Sequence, residues 1–477
     1  MTRYVIKAPI ANITSDSRLV EKNSLFIAYP GQYSDGRAYI ADAIKKGAVA
    51  VVWDDDGFVW NADWDVKNIA IPDLKWQAGH IASQFYKKPS SELWTIGVTG
   101  TNGKTSVSHW LAQAFDYLER RTAVVGTLGN GFLDALEPTM NTTPGPIDLQ
   151  KTLARFLNAK ASVVAMEVSS HGLDQGRLNG VEFDVAVFTN LTQDHLDYHK
   201  TMDAYQAAKA RLFEWPSLKA SVINYDDPFG KTLADKLNAE HKHLITYGIE
   251  SGEVRATRLE LHDAFFEMHV TSPYGEADVV VNLIGEFNVY NTLAVLASLL
   301  VSDVAFEDAI DAIGHLKAVN GRMQMLGGGN KPMVVVDYAH TPDALDKVLK
   351  TLKAQTKSKL VCVFGCGGDR DQSKRAKMGK VVSKHVDAIV ITTDNPRSEN
   401  PQTIVNDILE GMDAHYVVEL DRAKAIAIGV LSAKIGDVVL IAGKGHEDYQ
   451  EIAGVRHYFS DAKQAELALE AYQEIAL

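Results

Sequence analysis

Cysteine is almost missing from the 477 residues: Cys362 and Cys366 are the only two. A lone C-x-x-x-C pair makes neither a disulfide framework nor a zinc site, so both are read as small core or loop residues. Long apolar runs are missing as well. No stretch reaches the ~20 residues needed to cross a bilayer, and Met1-Thr2-Arg3-Tyr4-Val5 lacks the apolar core of a signal peptide. A cytoplasmic protein without membrane insertion is therefore expected. Positive charge is in deficit: 48 Lys and Arg against 61 Asp and Glu give a formal charge of −13. That excludes a general nucleic-acid binder but not an anionic nucleotide held by local glycine loops and arginines. There is no internal repeat and no low-complexity tract. What is present is a globular composition, 46% hydrophobic and 23% charged, in a chain long enough for about three domains.

Short apolar runs alternate with helical patterns, which implies an α/β protein with mostly parallel sheets covered on both faces. Residues 1–88 read as a small α/β domain, with strands Leu25–Tyr29 and Ala48–Trp53 around a helical stretch Tyr39–Lys46. Thr14-Ser15-Asp16-Ser17-Arg18 and the segment Gly31-Gln32-Tyr33-Ser34-Asp35-Gly36-Arg37 are polar loops beside those strands, and Lys87-Lys88-Pro89-Ser90-Ser91 is a linker. Residues 89–320 form a second domain with strands at 93–98, 122–126, 161–166, 185–188 and 220–224, extended by antiparallel strands within 254–284. Residues 321–477 repeat the α/β style. Strands 333–337, 360–364, 388–392 and 438–442 each end in a polar or glycine-rich loop, which describes one rim of a sheet turned toward a ligand.

The stretch Thr99-Gly100-Thr101-Asn102-Gly103-Lys104-Thr105-Ser106 lies between a strand and a helix predicted over Val107–Glu119. Backbone N–H groups and a helix N-terminus there can face a triphosphate, the lysine adds charge, and a hydroxyl can reach Mg²⁺. The ordinary G-x-x-x-x-G-K-[ST] spacing is not met, because Val98 stands five before Gly103 and Gly97 is one too early. Glu167 and His195 follow two other strands, so Thr105, Glu167 and His195 make a candidate Mg²⁺ site. Lys209, in Ala207-Ala208-Lys209-Ala210-Arg211, reads from periodicity alone as a helix-surface lysine.

These residues resemble the Mur ligases, ATP-dependent amino-acid ligases of cell-wall precursor synthesis. The resemblance is carried by residues 99–105, Glu167-Val168-Ser169-Ser170-His171-Gly172 and the segment 190–199. Gly285–Asn291, Gly321-Arg322-Met323 and Asp337-Tyr338-Ala339-His340-Thr341-Pro342 carry the rest. The irregular phosphate-loop spacing is that family's own form. The resemblance implies three domains: an N-terminal UDP-binding domain, a central P-loop-type ATPase domain and a C-terminal Rossmann-like domain that binds the amino acid. It also implies an acyl-phosphate mechanism and a monomer. For ATP it implies contacts from Gly100, Thr101, Asn102, Gly103, Lys104, Thr105, Ser106, Asn288, Asn291, Arg322, Asp337 and His340. Lys209 matches the lysine that such ligases carbamylate with CO₂ to hold a second Mg²⁺, so Lys104, Glu167, His195 and Lys209 are the implied catalytic group. Ser106 and Gln324 replace a frequent threonine and glutamate, and at Ser15 and Gln32 first-domain contacts vary.

Within the family, Thr14–Arg18, Asn141-Thr142-Thr143-Pro144 and His171–Arg177 are similar to the branch that adds the third residue of the peptide. That likeness implies UDP-N-acetylmuramoyl-L-alanyl-D-glutamate as acceptor, held by Ser17, Asn141, Thr142, Thr143, Ser169, Gln175 and Arg177. Asp394-Asn395-Pro396-Arg397 matches the loop of ligases that add meso-diaminopimelate, with Arg370, Gly443 and Glu447 beside it. A guanidinium can grip that substrate's far carboxylate bidentately, and an acid can take its ammonium. Lysine lacks the carboxylate and would leave Arg397 unpaired. The lysine-adding ligase, a folylpolyglutamate-type ligase and, further off, a nucleotide-hydrolysing switch are the alternatives.

Overall fold

The computed structural model describes residues 9–31, 34–139, 141–240 and 242–475, with side chains through Tyr472. Met1–Val5, Gln32 and Tyr33 lie outside the described residues. The chain divides into two compact units. The first comprises residues 1–255, 272–274 and 291–312; the second comprises 256–271, 275–290 and 313–477.

The first unit holds two sheets. The smaller is wholly parallel, in the order Asn12–Thr14, Ser24–Ala28, Ala48–Trp53, Lys67–Ala70. Strand alternation sends Leu25 and Ile27 to one face with Leu74, Ala78 and Ala82 of the helix Leu74–Phe85, and Phe26 and Ala28 to the other with Ile40 and Ala43. In the larger sheet six parallel strands run in the order Leu244–Gly248, Ala220–Asn224, Val185–Phe188, Trp94–Thr99, Val163–Glu167, Thr122–Gly126. Two antiparallel strands, Gly129–Phe132 and Ala135–Glu137, complete that edge. Trp94–Thr99 is central: the chain crosses first to one side of it and later to the other, so the loop after Thr99 opens at a topological switch point.

That loop leads into the helix Lys104–Tyr117. The helix begins three residues before its predicted start, because Gly103 takes a positive φ of 87° and turns the chain directly into the first turn. No side chain caps this helix, which leaves its first N–H groups facing the loop.

Strands Val254–Leu261, Phe266–Ser272 and Gly275–Val281 follow as neighbours, and their short connections make them antiparallel, as their alternating pattern predicts. The second unit is built on a six-stranded sheet ordered Gln324–Gly327, Met333–Asp337, Val438–Ala442, Leu360–Phe364, Ala388–Ile391, Val417–Val418. All of these pairs are parallel except the first. One face packs on helices Pro342–Gln355, Ser373–His385 and Pro401–Leu409. The other packs on Arg422–Ser432 and Asp461–Ile475. Cys362 and Cys366 are free thiols buried in the first of these cores, as core residues should be. Burial pushes the Cys366 thiol up to about 12. Between the other face and its helices lies a wholly buried ion pair. Arg422 donates to both oxygens of Asp461 at 2.7 Å and to the carbonyls of Thr393 and Ala442 at 3.1 Å.

Candidate functional site

In the first unit the phosphate-type loop is tied to the end of the neighbouring strand. Thr101 N–H donates to the Asn190 carbonyl (2.8 Å), Asn102 N–H to Asn190 Oδ1 (3.0 Å), and Thr189 Oγ1 to the Asn102 carbonyl (2.6 Å). A Cβ on Gly103 would run into the Asn291 side chain, so this glycine is required by space as well as by φ. Lys104 Nζ folds onto the carbonyls of Gly100 (2.9 Å) and Thr101 (2.8 Å). Ser106 is buried in the first helical turn.

Glu167, at the end of its strand, is a hub. Its Oε2 accepts from Thr105 Oγ1 (3.0 Å) and Thr127 Oγ1 (3.1 Å), and its Oε1 from Thr127 N–H (2.8 Å). The Thr127 hydroxyl lies 3.1 Å from that of Thr142. Thr143 Oγ1 lies 3.0 Å from both the Glu167 carbonyl and Ser169 Oγ, and the Thr143 carbonyl accepts from Arg177 (2.9 Å). Arg177 also donates to Gln175 Oε1 (2.8 Å), whose amide reaches the hydroxyl of Tyr198. Thr142, Thr143, Ser169, Gln175 and Arg177 are thus drawn into one network beside Glu167. Two other predicted residues are engaged elsewhere. Asn141 is exposed, its N–H directed to Thr139 Oγ1, and the carbonyl of Ser17 accepts Lys46 Nζ at 3.0 Å.

A Cβ on Gly126 would strike the Glu167 carboxylate, although the backbone there suits any residue. Gly126→Ala should therefore fold without backbone strain yet displace the Glu167 carboxylate and loosen its bonds to Thr105 and Thr127; a melting curve together with a crystal structure of the variant separates the two effects.

Lys209 corrects the surface reading. It is 1% exposed, and its Nζ donates to the Gly100 carbonyl at 2.7 Å, the same oxygen that takes Lys104. Burial holds its pKa well below the usual lysine range, and the Lys104 charge lowers it further against the pull of Asp194. Two ammonium groups on one carbonyl is a poor arrangement for two cations, so Lys209 is suited to being a neutral amine. His195 takes a positive φ of 52° and stacks edge-on to His171 at 4.9 Å. Burial and the neighbouring His195, His199 and Arg177 push His171 down to about 4.

Thr105 and Glu167 offer adjacent oxygen donors, a set that suits a hard cation whose remaining ligands are phosphate and water. Among the described residues the group of three His or carboxylate ligand atoms within 4.8 Å of one another is Glu260, His262 and Glu267, in the second unit. Glu167 and His195 make no such triad.

In the second unit Asp337 turns its carboxylate onto the N–H groups of Met323 and Ala339, both at 2.8 Å; burial raises its pKa against the Arg322 charge. The Arg322 guanidinium lies 4.5 Å over the Tyr338 ring. His340 Nδ1 stands 2.7 Å from the Tyr338 carbonyl, and Asn288 Nδ2 donates to the Ile284 carbonyl at 2.8 Å. Three neighbouring strand ends hold the remaining predicted residues. Gly443, at φ 119°, leaves room for the buried carboxylate of Asp394. Asn395 donates to Glu447 (2.8 Å) and accepts from Lys444 (3.0 Å), and the buried Lys444 also pairs with Glu447 (2.9 Å). Lys444 lies within a predicted loop, but its role as the centre of this triad had no signal in the sequence. Pro396 leads into Arg397, whose φ is 49°.

Arg397 also has partners within the protein. Its Nη1 donates to the Gly368 carbonyl (2.7 Å), and Nε lies 3.7 Å from Glu451. Arg370 is exposed and bonds the Asp369 carbonyl, with its stem beside Gly367.

Three family models match in succession: the "Mur ligase family, catalytic domain" over residues 9–86, the "Mur ligase middle domain" over 98–299, and the "Mur ligase, glutamate ligase domain" over 321–445. The chain belongs to the Mur ligase family. It is 51% identical over 468 residues to UDP-N-acetylmuramoyl-L-alanyl-D-glutamate--2,6-diaminopimelate ligase of Chromobacterium violaceum, covering 97% of this chain and 95% of the relative. It is 50% identical to the enzyme of the same name from Pseudomonas aeruginosa, at 97% and 96% coverage. A solved structure of a ligase of that name superposes with a TM-score of 0.74 at 37% identity, covering 98% of both chains. The fold is shared more widely: a D-alanyl-D-alanyl-adding ligase from Acinetobacter baumannii gives a TM-score of 0.66 at 18% identity, over 99% of this chain and 94% of its own.

Proposed function

We propose that this chain joins meso-2,6-diaminopimelate to UDP-N-acetylmuramoyl-L-alanyl-D-glutamate with cleavage of ATP to ADP and phosphate. The observation that carries this reading is about half identity, over nearly the whole length, to ligases of that name. Segments 1–88, 89–320 and 321–477 divide the work among the UDP moiety, ATP and the amino acid.

The D-glutamyl carboxylate attacks the γ-phosphorus, ADP leaves, and an acyl phosphate forms. The amine of diaminopimelate then attacks the acyl carbon and phosphate departs. Gly100–Ser106 cradles the phosphates with backbone N–H groups, and Lys104 moves from the loop carbonyls onto phosphate oxygens. Thr105 and Glu167 would hold Mg²⁺, which when bound would neutralise phosphate charge. Asn291 lines the loop, while Asn288, Arg322, Asp337 and His340 contact the nucleotide. Thr142, Thr143, Ser169, Gln175 and Arg177, with Ser17 and Asn141, hold the acceptor peptide.

Carbamylation of Lys209, in which its neutral amine adds to CO₂ and releases a proton, would supply an anionic oxygen ligand for a second Mg²⁺, with His195 nearby. Its burial and its shared carbonyl support this. Arg397 and Arg370 take the far carboxylate of diaminopimelate, Glu447 its ammonium, and Asp394, Asn395 and Gly443 shape the pocket.

The test is phosphate release with the muramoyl dipeptide, comparing meso-diaminopimelate with L-lysine. Release with the former only is expected. Equal release with both overturns the selectivity, and release with neither overturns the ligase reading. Glu451 already offers Arg397 a counter-charge, so lysine is the control that matters. Arg397→Ala should lower kcat/KM for diaminopimelate about ten- to a hundredfold, the value of charged hydrogen bonds, with kcat/KM for ATP unchanged.

A further inference from the structure

Tyr205 takes no part in the reaction as written, yet four groups of the site meet on it. It is fully buried, one helical turn before Lys209 on the helix Met202–Ala210. Lys209 Nζ lies 4.5 Å from its ring centroid, and the rings of His199 and His195 lie at 5.3 and 6.0 Å. Its phenol oxygen is 3.2 Å from Thr101 Oγ1 in the phosphate loop.

The direction of that last bond can be assigned. Thr101 Oγ1 accepts from Thr192 N–H (3.0 Å) and lies 3.1 Å from the Thr192 carbonyl, which can only accept. Its single proton therefore goes to that carbonyl, and its second lone pair takes the Tyr205 O–H. The helix thus grips the loop at two successive residues: Tyr205 donates to Thr101, and Lys209 donates to Gly100. Gly100 and Gly103 both sit at positive φ, so the loop's path between these bonds depends on glycine at both positions.

We propose that Tyr205 is a positioning residue with two separable parts. Its hydroxyl fixes the phosphate loop for the nucleotide, and its ring fixes the side chain of Lys209 for modification. What the loop and the lysine do rests on the functional reading above; the contacts do not.

The test uses Tyr205→Phe, Tyr205→Leu, the space-filling Tyr205→Met, and Thr101→Val alone and combined with Tyr205→Phe. Calorimetric binding of MgATP reads the loop, and the ¹³C carbamate signal in ¹³C-bicarbonate reads the lysine; neither needs turnover. Tyr205→Phe should weaken MgATP about three- to tenfold, the worth of one buried hydrogen bond, and leave the carbamate signal intact. Thr101→Val, which also loses both Thr192 bonds, should weaken MgATP at least as much, and adding Tyr205→Phe to it should weaken MgATP no further. Tyr205→Leu and Tyr205→Met should lose most of the carbamate signal and weaken MgATP as well. Wild-type MgATP binding by Tyr205→Phe, fully additive loss in the double variant, or a full carbamate signal without the ring each overturns the proposal. A wild-type protein with no carbamate signal overturns the reading of Lys209 and, with it, the ring's part here; the hydroxyl's part is still decided by the nucleotide titrations.

Discussion

Lys209→Met is expected to lower kcat for phosphate release about a thousandfold, the upper range for loss of one group that stabilises transferring charge, while the protein folds as well as before. The second half follows from the same burial as the first. A lysine whose folded pKa lies below its unfolded value takes up a proton on unfolding, so stability is lost below the unfolded pKa and regained as pH rises toward it. At neutral pH in CO₂-free buffer the buried amine is thus a cost, and methionine removes it. Lys209→Arg should be as inactive as Lys209→Met, because a guanidinium stays charged and cannot take up CO₂. Steady-state assays with thermal melts at pH 7 and 9 check both statements. An active Lys209→Arg enzyme would remove the carbamate from the mechanism.

Asp461→Ala is expected to destabilise the second unit by about 3–5 kcal/mol, the usual result of leaving one member of a buried ion pair alone. Arg422 would then be a buried cation with two carbonyls and no counter-charge. Those carbonyls belong to Thr393 and Ala442, which directly precede Asp394 and Gly443. The pair therefore anchors the bases of both loops assigned to the amino acid. Urea unfolding gives the free energy. In the folded fraction, KM for diaminopimelate should rise while KM for ATP holds. Replacing Arg422 and Asp461 together by Met and Leu should recover much of the loss, since no lone charge is then buried.

The sheets were legible where strands are continuous apolar runs buried on both faces, as at Val185–Phe188 or Val438–Ala442. The edge strands Gly129–Phe132, Ala135–Glu137 and Lys67–Ala70 were not, because glycine and charge there give no apolar signal and the pairing partner alone makes them strands. Sites followed the same division. Thr105 and Glu167 meet because the glycine loop and helix start that carry Thr105 follow one predicted strand, and Glu167 ends the strand paired with it. The burial of Lys209 was hidden, since the carbonyl it reaches is 109 positions away in sequence and its own short, alanine-rich helix marks no buried face. Arg397 was recognised by its loop, but its partner Glu451 comes from the hairpin Tyr449–Tyr458, which no apolar run announces.

The two buried thiols have a practical consequence. Cys362 and Cys366 lie in one core of the second unit, and the first unit has none. A disulfide-exchange reagent added to the native enzyme can meet a thiol only when that core opens, so its reaction rate is a clock for one half of the molecule and silent for the other. Mass spectrometry of partially labelled wild type and Asp461→Ala would then read the opening of the second unit directly, with no engineered probe.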